Sequence, residues 1–148
     1  MRQIHATIGR HTFSDGSGSA WYQSAEDYLK NAIKTVEERL GYPLPRGRVS
    51  TPLEHGYHPE VNVTALLDDD QTNYYKSMIG ILLWASELGR IDITQEVGMM
   101  ARFGALPREG HYKAVLRIFS YLKKHLKSRL VYGTNIVDVS DKKFAVAT

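Results

Sequence analysis

Residues 108–124, REGHYKAVLRIFSYLKK, decide the fold class of this chain. At 100° per residue, Val115, Leu116, Phe119 and Leu122 point one way, while Lys113, Arg117, Lys124 and then Lys127 point the other. One helix therefore carries a core face and a basic ridge, and a core face needs helices to pack against. Residues 24–40 supply the first. Ser24 is placed to cap it, Glu26 and Asp27 sit at the positive end of its dipole, and Gly41 with Pro43 and Pro45 ends it. Tyr28, Leu29, Ala32, Ile33, Val36 and Leu40 follow helical spacing, leaving Lys30, Lys34, Glu37 and Glu38 outside. A second helix starts at Asp70 or Thr72 and runs to Leu88, with Tyr75, Met78, Ile79, Leu82 and Leu88 as core positions and Gly89 as terminator. Asp92 is placed to cap a third, from Ile93 to about Phe103, ended near Gly104 and Pro107.

The first 23 residues have a period of two instead. Ile4, Ala6 and Ile8 alternate with polar residues, residues 15–19 are a turn of Asp, Gly and Ser, and residues 20–23 are a short returning strand with two aromatics. Residues 129–132 are a further short strand. Between the first two helices, residues 42–70 have no period and hold Pro43, Pro45, Pro52 and Pro59. A loop of that length is unusual in a compact domain and points to an incomplete one. The expected fold is α+β and mainly helical: an N-terminal β-hairpin over 1–23, about four helices within 24–132 around a Pro-containing loop at 42–70, and a divergent tail over 133–148.

At 148 residues the chain has room for one core. Its 43% hydrophobic and 24% charged residues are those of an ordinary globular protein. No apolar run approaches the roughly 18 residues of a membrane span, the N-terminus holds no apolar segment of signal length, and there is no cysteine. These features point to an intracellular protein, cytoplasmic or nuclear, with no membrane partner. The net charge of +3 conceals an asymmetry. Residues 54–100 hold eight carboxylates against Lys76 and Arg90, whereas residues 101–132 hold eight cations against Glu109. Such a basic stretch is either a footprint for a polyanion or a solvated helix face.

Chemistry of other kinds is hard to find. Asp68, Asp69 and Asp70 precede a helix and lack the spaced ligands of a calcium loop, so capping and solvation account for them better than a metal. His55 and His58 lie in a loop bounded by prolines and do not make a zinc pair at helical spacing. Neither a phosphate-binding loop nor a Gly-x-Ser-x-Gly turn is present. No catalytic residue and no metal ligand is assigned.

An ordered set of motifs adds a resemblance. Residues 74–93, YYKSMIGILLWASELGRIDI, are followed by MMARF at 99–103, PREGH at 107–111 and AVLRIFSYLKKH at 114–125; upstream stand DGS at 15–17, AWYQS at 20–24, Tyr28-Leu29 and STP at 50–52. In this order, over nearly all of residues 4–132, they resemble the reverse transcriptase region of copia-type retrotransposon polyproteins. The resemblance implies the end of the palm, the thumb and the connection of an RNA-directed DNA polymerase. In that family three aspartates, two in a Tyr-x-Asp-Asp turn, hold two magnesium ions. The turn would lie upstream of Met1, and nothing here substitutes for it. The ribonuclease H domain would begin beyond Tyr132, and Asp138 and Asp141 do not match its acidic residues. No cofactor is therefore expected in this chain, and it is expected to be inactive alone.

The resemblance also implies a site. Lys76, Gly80 and Trp84 recur every four residues along one helix face. They are similar to thumb-helix positions at which a polar residue, a glycine and a tryptophan track the minor groove of primer and template. Tight helix packing by Gly80 and burial of Trp84 is the competing account of the same three residues. Lys113, Arg117, Lys124 and Lys127 would contact the phosphate backbone without reading sequence. The expected partner is an RNA–DNA hybrid or a duplex, together with the palm and ribonuclease H parts of the polyprotein. The alternative expectation is an orphan helical protein-interaction module derived from a retroelement.

Overall fold

The structure is a computed structural model that describes residues 6–12, 16, 18–47 and 49–132. The expected roles of Ile4, Asp15 and Ser17, and those of the 133–148 tail, lie outside the described residues. β1 (Thr7–Thr12) and β2 (Ser19–Ser24) form an antiparallel hairpin. Four helices follow, α1 (Glu26–Leu40), α2 (Asp69–Glu87), α3 (Thr94–Ala101) and α4 (Glu109–Lys124), and then β3 (Leu130–Tyr132). The fold is thus α+β and mainly helical, with hairpin and helices in the expected order. β3 returns to pair with β2, so a three-stranded antiparallel sheet of order β1-β2-β3 joins the two ends of the described chain.

The helices meet over one apolar core. Leu29, Ile33 and Val36 of α1, Tyr75, Met78 and Leu82 of α2, Val97 and Met100 of α3, and Ile118, Phe119 and Leu122 of α4 are all buried in it. Each such side chain contributes about 1.5–3 kcal/mol by leaving water. The Tyr75 hydroxyl, carried into this core, donates to the Met100 carbonyl at 2.7 Å, which satisfies the one polar atom it brings.

Several local expectations need correction. Ile8 is 69% exposed, so the alternation in β1 does not mark a core face; Ala20 and Ser24 of β2 are the buried strand positions. Ser24 is not the α1 cap residue, which is Ala25, although its Oγ accepts from the Glu26 N–H at 3.2 Å. Asp92 does not cap α3. A 3-10 turn at Ile91–Ile93 intervenes, and the Asp92 carboxylate is held by Arg90.

The 42–70 connection, which has no period in the sequence, is ordered. Leu44 and Leu53 reach the core, Pro59–Val61 form a 3-10 turn, and Leu66 makes an isolated bridge with Arg108. Its two halves are fastened differently. Near its start, Glu37 accepts from the Leu44 N–H at 2.7 Å and from Lys123, whose ammonium also donates to the Leu44 carbonyl. The Lys123 hydrogen bond is the main reason the Glu37 carboxyl lies below the usual carboxylate range. Near its end, His111 spans the gap from α4: its Nδ1 accepts from the Arg108 N–H, and its Nε2 donates to the Pro59 carbonyl at 2.9 Å. These bonds replace the backbone ladder that a helix or strand would have provided.

The aspartate run begins α2. Asp68 is the cap residue, its Oδ1 accepting from the Gln71 N–H at 2.8 Å, while the Gln71 side chain accepts from the Asp68 N–H. Asp70 pairs with Arg39 at 2.6 Å. Asp68→Ala is expected to lower stability by about 1 kcal/mol, the usual cost of a lost cap, read as a drop in thermal midpoint. An unchanged midpoint would mean that the capping box contributes nothing.

Candidate nucleic-acid interface

α2 buries one side and leaves the other bare. Tyr75, Met78, Ile79, Leu82 and Ala85 face the core. Around the opposite side run Asn73, Lys76, Ser77, Gly80, Leu83, Trp84 and Glu87, all exposed. The sequence-derived line Lys76, Gly80 and Trp84 lies on this outer side. Trp84 is 43% exposed, and a Cβ built on Gly80 would meet no atom within 4 Å. Within the described residues, therefore, neither Gly80 nor Trp84 serves helix packing or the core. A glycine inside a helix costs about 1 kcal/mol relative to alanine. At Gly80 no close contact among the described residues explains that cost.

The second expected feature, the α4 ridge, is divided. Arg117 pairs with Glu54 at 3.5 Å, and its side chain is only 27% exposed because the 42–70 connection lies against it. Arg117 and the exposed Lys113 line a recess of about 380 Å³ with Leu53, Glu54 and Tyr57. Lys124 and Lys127 belong to a different recess, beyond the end of α4, together with Lys30 and Arg46. The four cations thus do not form one line. Helical spacing found them, but the position of the connection, which the sequence left without a period, decides which remain open.

One polar cluster was not anticipated. Arg90 is 1% exposed, the largest fully buried side chain among the described residues. Its Nε and Nη2 donate to the two Asp92 oxygens at 2.9 and 2.8 Å, its Nη1 donates to the His125 carbonyl at 3.0 Å, and Tyr121 donates to Asp92 at 2.9 Å. Burial pushes the Asp92 carboxyl up. The Arg90 hydrogen bonds and charge, with the Tyr121 hydroxyl, outweigh this and hold it below the usual range. The signal in the sequence was Arg90-Ile91-Asp92, a cation and a carboxylate two residues apart just after a helix-ending glycine.

Among the described residues no group of three or more His, Asp or Glu side chains could hold a metal ion. His58 pairs with Glu60 at 2.9 Å. No helix of the described residues is long and apolar enough to cross a membrane. Comparison with family models, with curated proteins and with solved structures gives no match.

Proposed function

We propose that this chain is a thumb-and-connection fragment of a copia-type retrotransposon reverse transcriptase that grips duplex nucleic acid and does not itself polymerise. The ordered motifs across residues 15–125 support the family reading. The observation that carries the grip is the outer side of α2, where an open Gly80 lies between exposed Lys76 and Trp84. A missing side chain lets a backbone or groove wall come close, an indole presents a flat surface, and an ammonium finds phosphate. No base specificity is expected, since none of these contacts reads a base edge.

The test is Gly80→Leu. A leucine is a better helix former, and its Cβ meets no atom within 4 Å here, so the variant is expected to melt at the same or a higher temperature than the parent. Its affinity for an RNA–DNA hybrid is expected to fall at least tenfold, measured by fluorescence anisotropy at low salt. Hybrid affinity equal to that of the parent, or no salt-dependent hybrid binding by the parent, defeats the grip.

A protein-docking module is the second reading. Leu83 and Trp84 on α2, and Trp21 and Tyr132 directly opposite each other across β2 and β3, are all more than two-fifths exposed. Salt-insensitive association would favour it.

A further inference from the structure

Where the chain leaves α4, it turns back along the start of α1 and shapes a recess of about 620 Å³. Besides Lys123, its cations come from three separate parts of the chain: Lys30 on α1, Arg46 in the connection, and Lys124 and Lys127 at and beyond the end of α4. All four are exposed. The nearby carboxylates are already engaged. Glu26 pairs with Lys30 at 2.8 Å, and Glu37 is taken by Lys123. Among the described residues no carboxylate lies within 4.0 Å of Arg46, Lys124 or Lys127, although Glu26 feels the charge of Lys127 and Glu37 that of Arg46. Five lining cations, Lys123 included, thus face one lining carboxylate, Glu26.

We propose that this recess is a binding site for the phosphodiester backbone of a single nucleic-acid strand. Like charges drawn together across a recess repel one another, and an anion between them removes that repulsion. The charges stand on α1 and the connection on one side and on the α4 end on the other. A thin flexible strand lying in the recess meets both sides, while a rigid duplex presents its backbone to one side at a time. The site is separate from the α2 face and does not depend on the proposed duplex grip. It also regroups the basic residues: Lys124 and Lys127 act with Lys30 and Arg46, not with Lys113 and Arg117.

A twelve-residue oligothymidylate and the full chain provide the test, with anisotropy read between 50 and 200 mM salt. Three phosphate contacts on a single strand correspond to a slope of about −2 in log affinity against log salt, or a weakening of about 20-fold over that range. Arg46→Gln, Lys124→Gln and Lys127→Gln are each expected to reduce the slope by about 0.7, and Lys34→Gln, an exposed lysine of α1 outside the recess, to leave it unchanged. The three side chains are exposed and make no ion pair within 4.0 Å, so the variants are expected to melt close to the parent. Unchanged affinity and slope in the triple variant overturn the proposal, as does binding by the parent that ignores salt. Parallel titration with an RNA–DNA hybrid separates the two sites. Gly80→Leu that loses the hybrid but keeps the oligothymidylate touches α2 alone, and parent binding of the oligothymidylate without the hybrid leaves the recess standing while the grip falls.

Discussion

Arg90→Ala is expected to destabilise the fold by about 3 kcal/mol and to flatten the acid limb of its stability profile. The guanidinium is 1% exposed and makes three hydrogen bonds, two to one carboxylate and one to the carbonyl of His125 just beyond α4. Truncation leaves Asp92 with Tyr121 and a backbone N–H, frees the His125 carbonyl and opens a cavity. Breaking a buried pair by removing one partner costs roughly 3–5 kcal/mol, and the lower figure applies because the Asp92 side chain keeps 36% of its surface in water. The acid effect follows from Asp92. Its carboxyl titrates lower in the folded chain than in the unfolded one, so it contributes stability at pH values above about 4, where the unfolded group is charged. That contribution is lost as pH falls through the folded pKa. Chemical unfolding at pH 7 and between pH 5 and 2.5 checks both effects. A loss under 1 kcal/mol at pH 7 would mean that the cluster is a surface ornament of the α2–α4 junction. Arg90→Lys is expected to recover only part, since an ammonium cannot hold both oxygens and a distant carbonyl in the same geometry.

Two glycines in helices should respond to alanine with opposite signs. At Gly80 the added methyl meets open space, and the helix gains up to about 1 kcal/mol. At Gly110, in the first turn of α4, the same methyl would lie 1.8 Å from the Asn62 amide nitrogen. Asn62 cannot simply swing away, because its Oδ1 accepts from both the Thr64 N–H and the Thr64 hydroxyl. Thr64 in turn accepts from the Gly110 N–H at 2.9 Å, and its carbonyl accepts from Arg108. Displacing Asn62 therefore loosens a turn and uncaps a helix. With about 1 kcal/mol for each hydrogen bond lost and the helix gain subtracted, Gly110→Ala is expected to cost about 2 kcal/mol. Thermal unfolding of the two single variants decides it, and equal shifts in the same direction would refute the packing at Gly110.

Periodicity made the helices legible. Every core position expected for α2 is buried, and Asp68–Asp70 begin that helix as their position suggested. Three kinds of information were not available from period or propensity. The first is long-range pairing: nothing local in Leu130-Val131-Tyr132 names β2 as its neighbour. The second is order without repetition. The 42–70 connection is held by Glu37, Lys123 and His111, side chains that were assigned to helix surfaces or left unassigned. The third is the fate of charge. Arg117 and Lys124 share one helix face by angle, yet Glu54 engages the first and leaves the second to a recess that Lys30 and Arg46 complete. Spacing alone put Lys76, Gly80 and Trp84 on one face of α2, but it left open whether that face is packed or bare; the three are exposed.

The return of β3 to β2 has a kinetic meaning. The Tyr132 hydroxyl donates to Gln23 Oε1 across a sequence separation of 109, at 2.7 Å. Ends that far apart meet rarely until the helices between them have shortened the path, because the entropy of closing a loop grows with its length. The helical cluster is thus the early-forming unit and the third strand a late clasp. Amide exchange should report this as protection that is high in α2 and α4 and low in β3, with Tyr132 released long before the core opens.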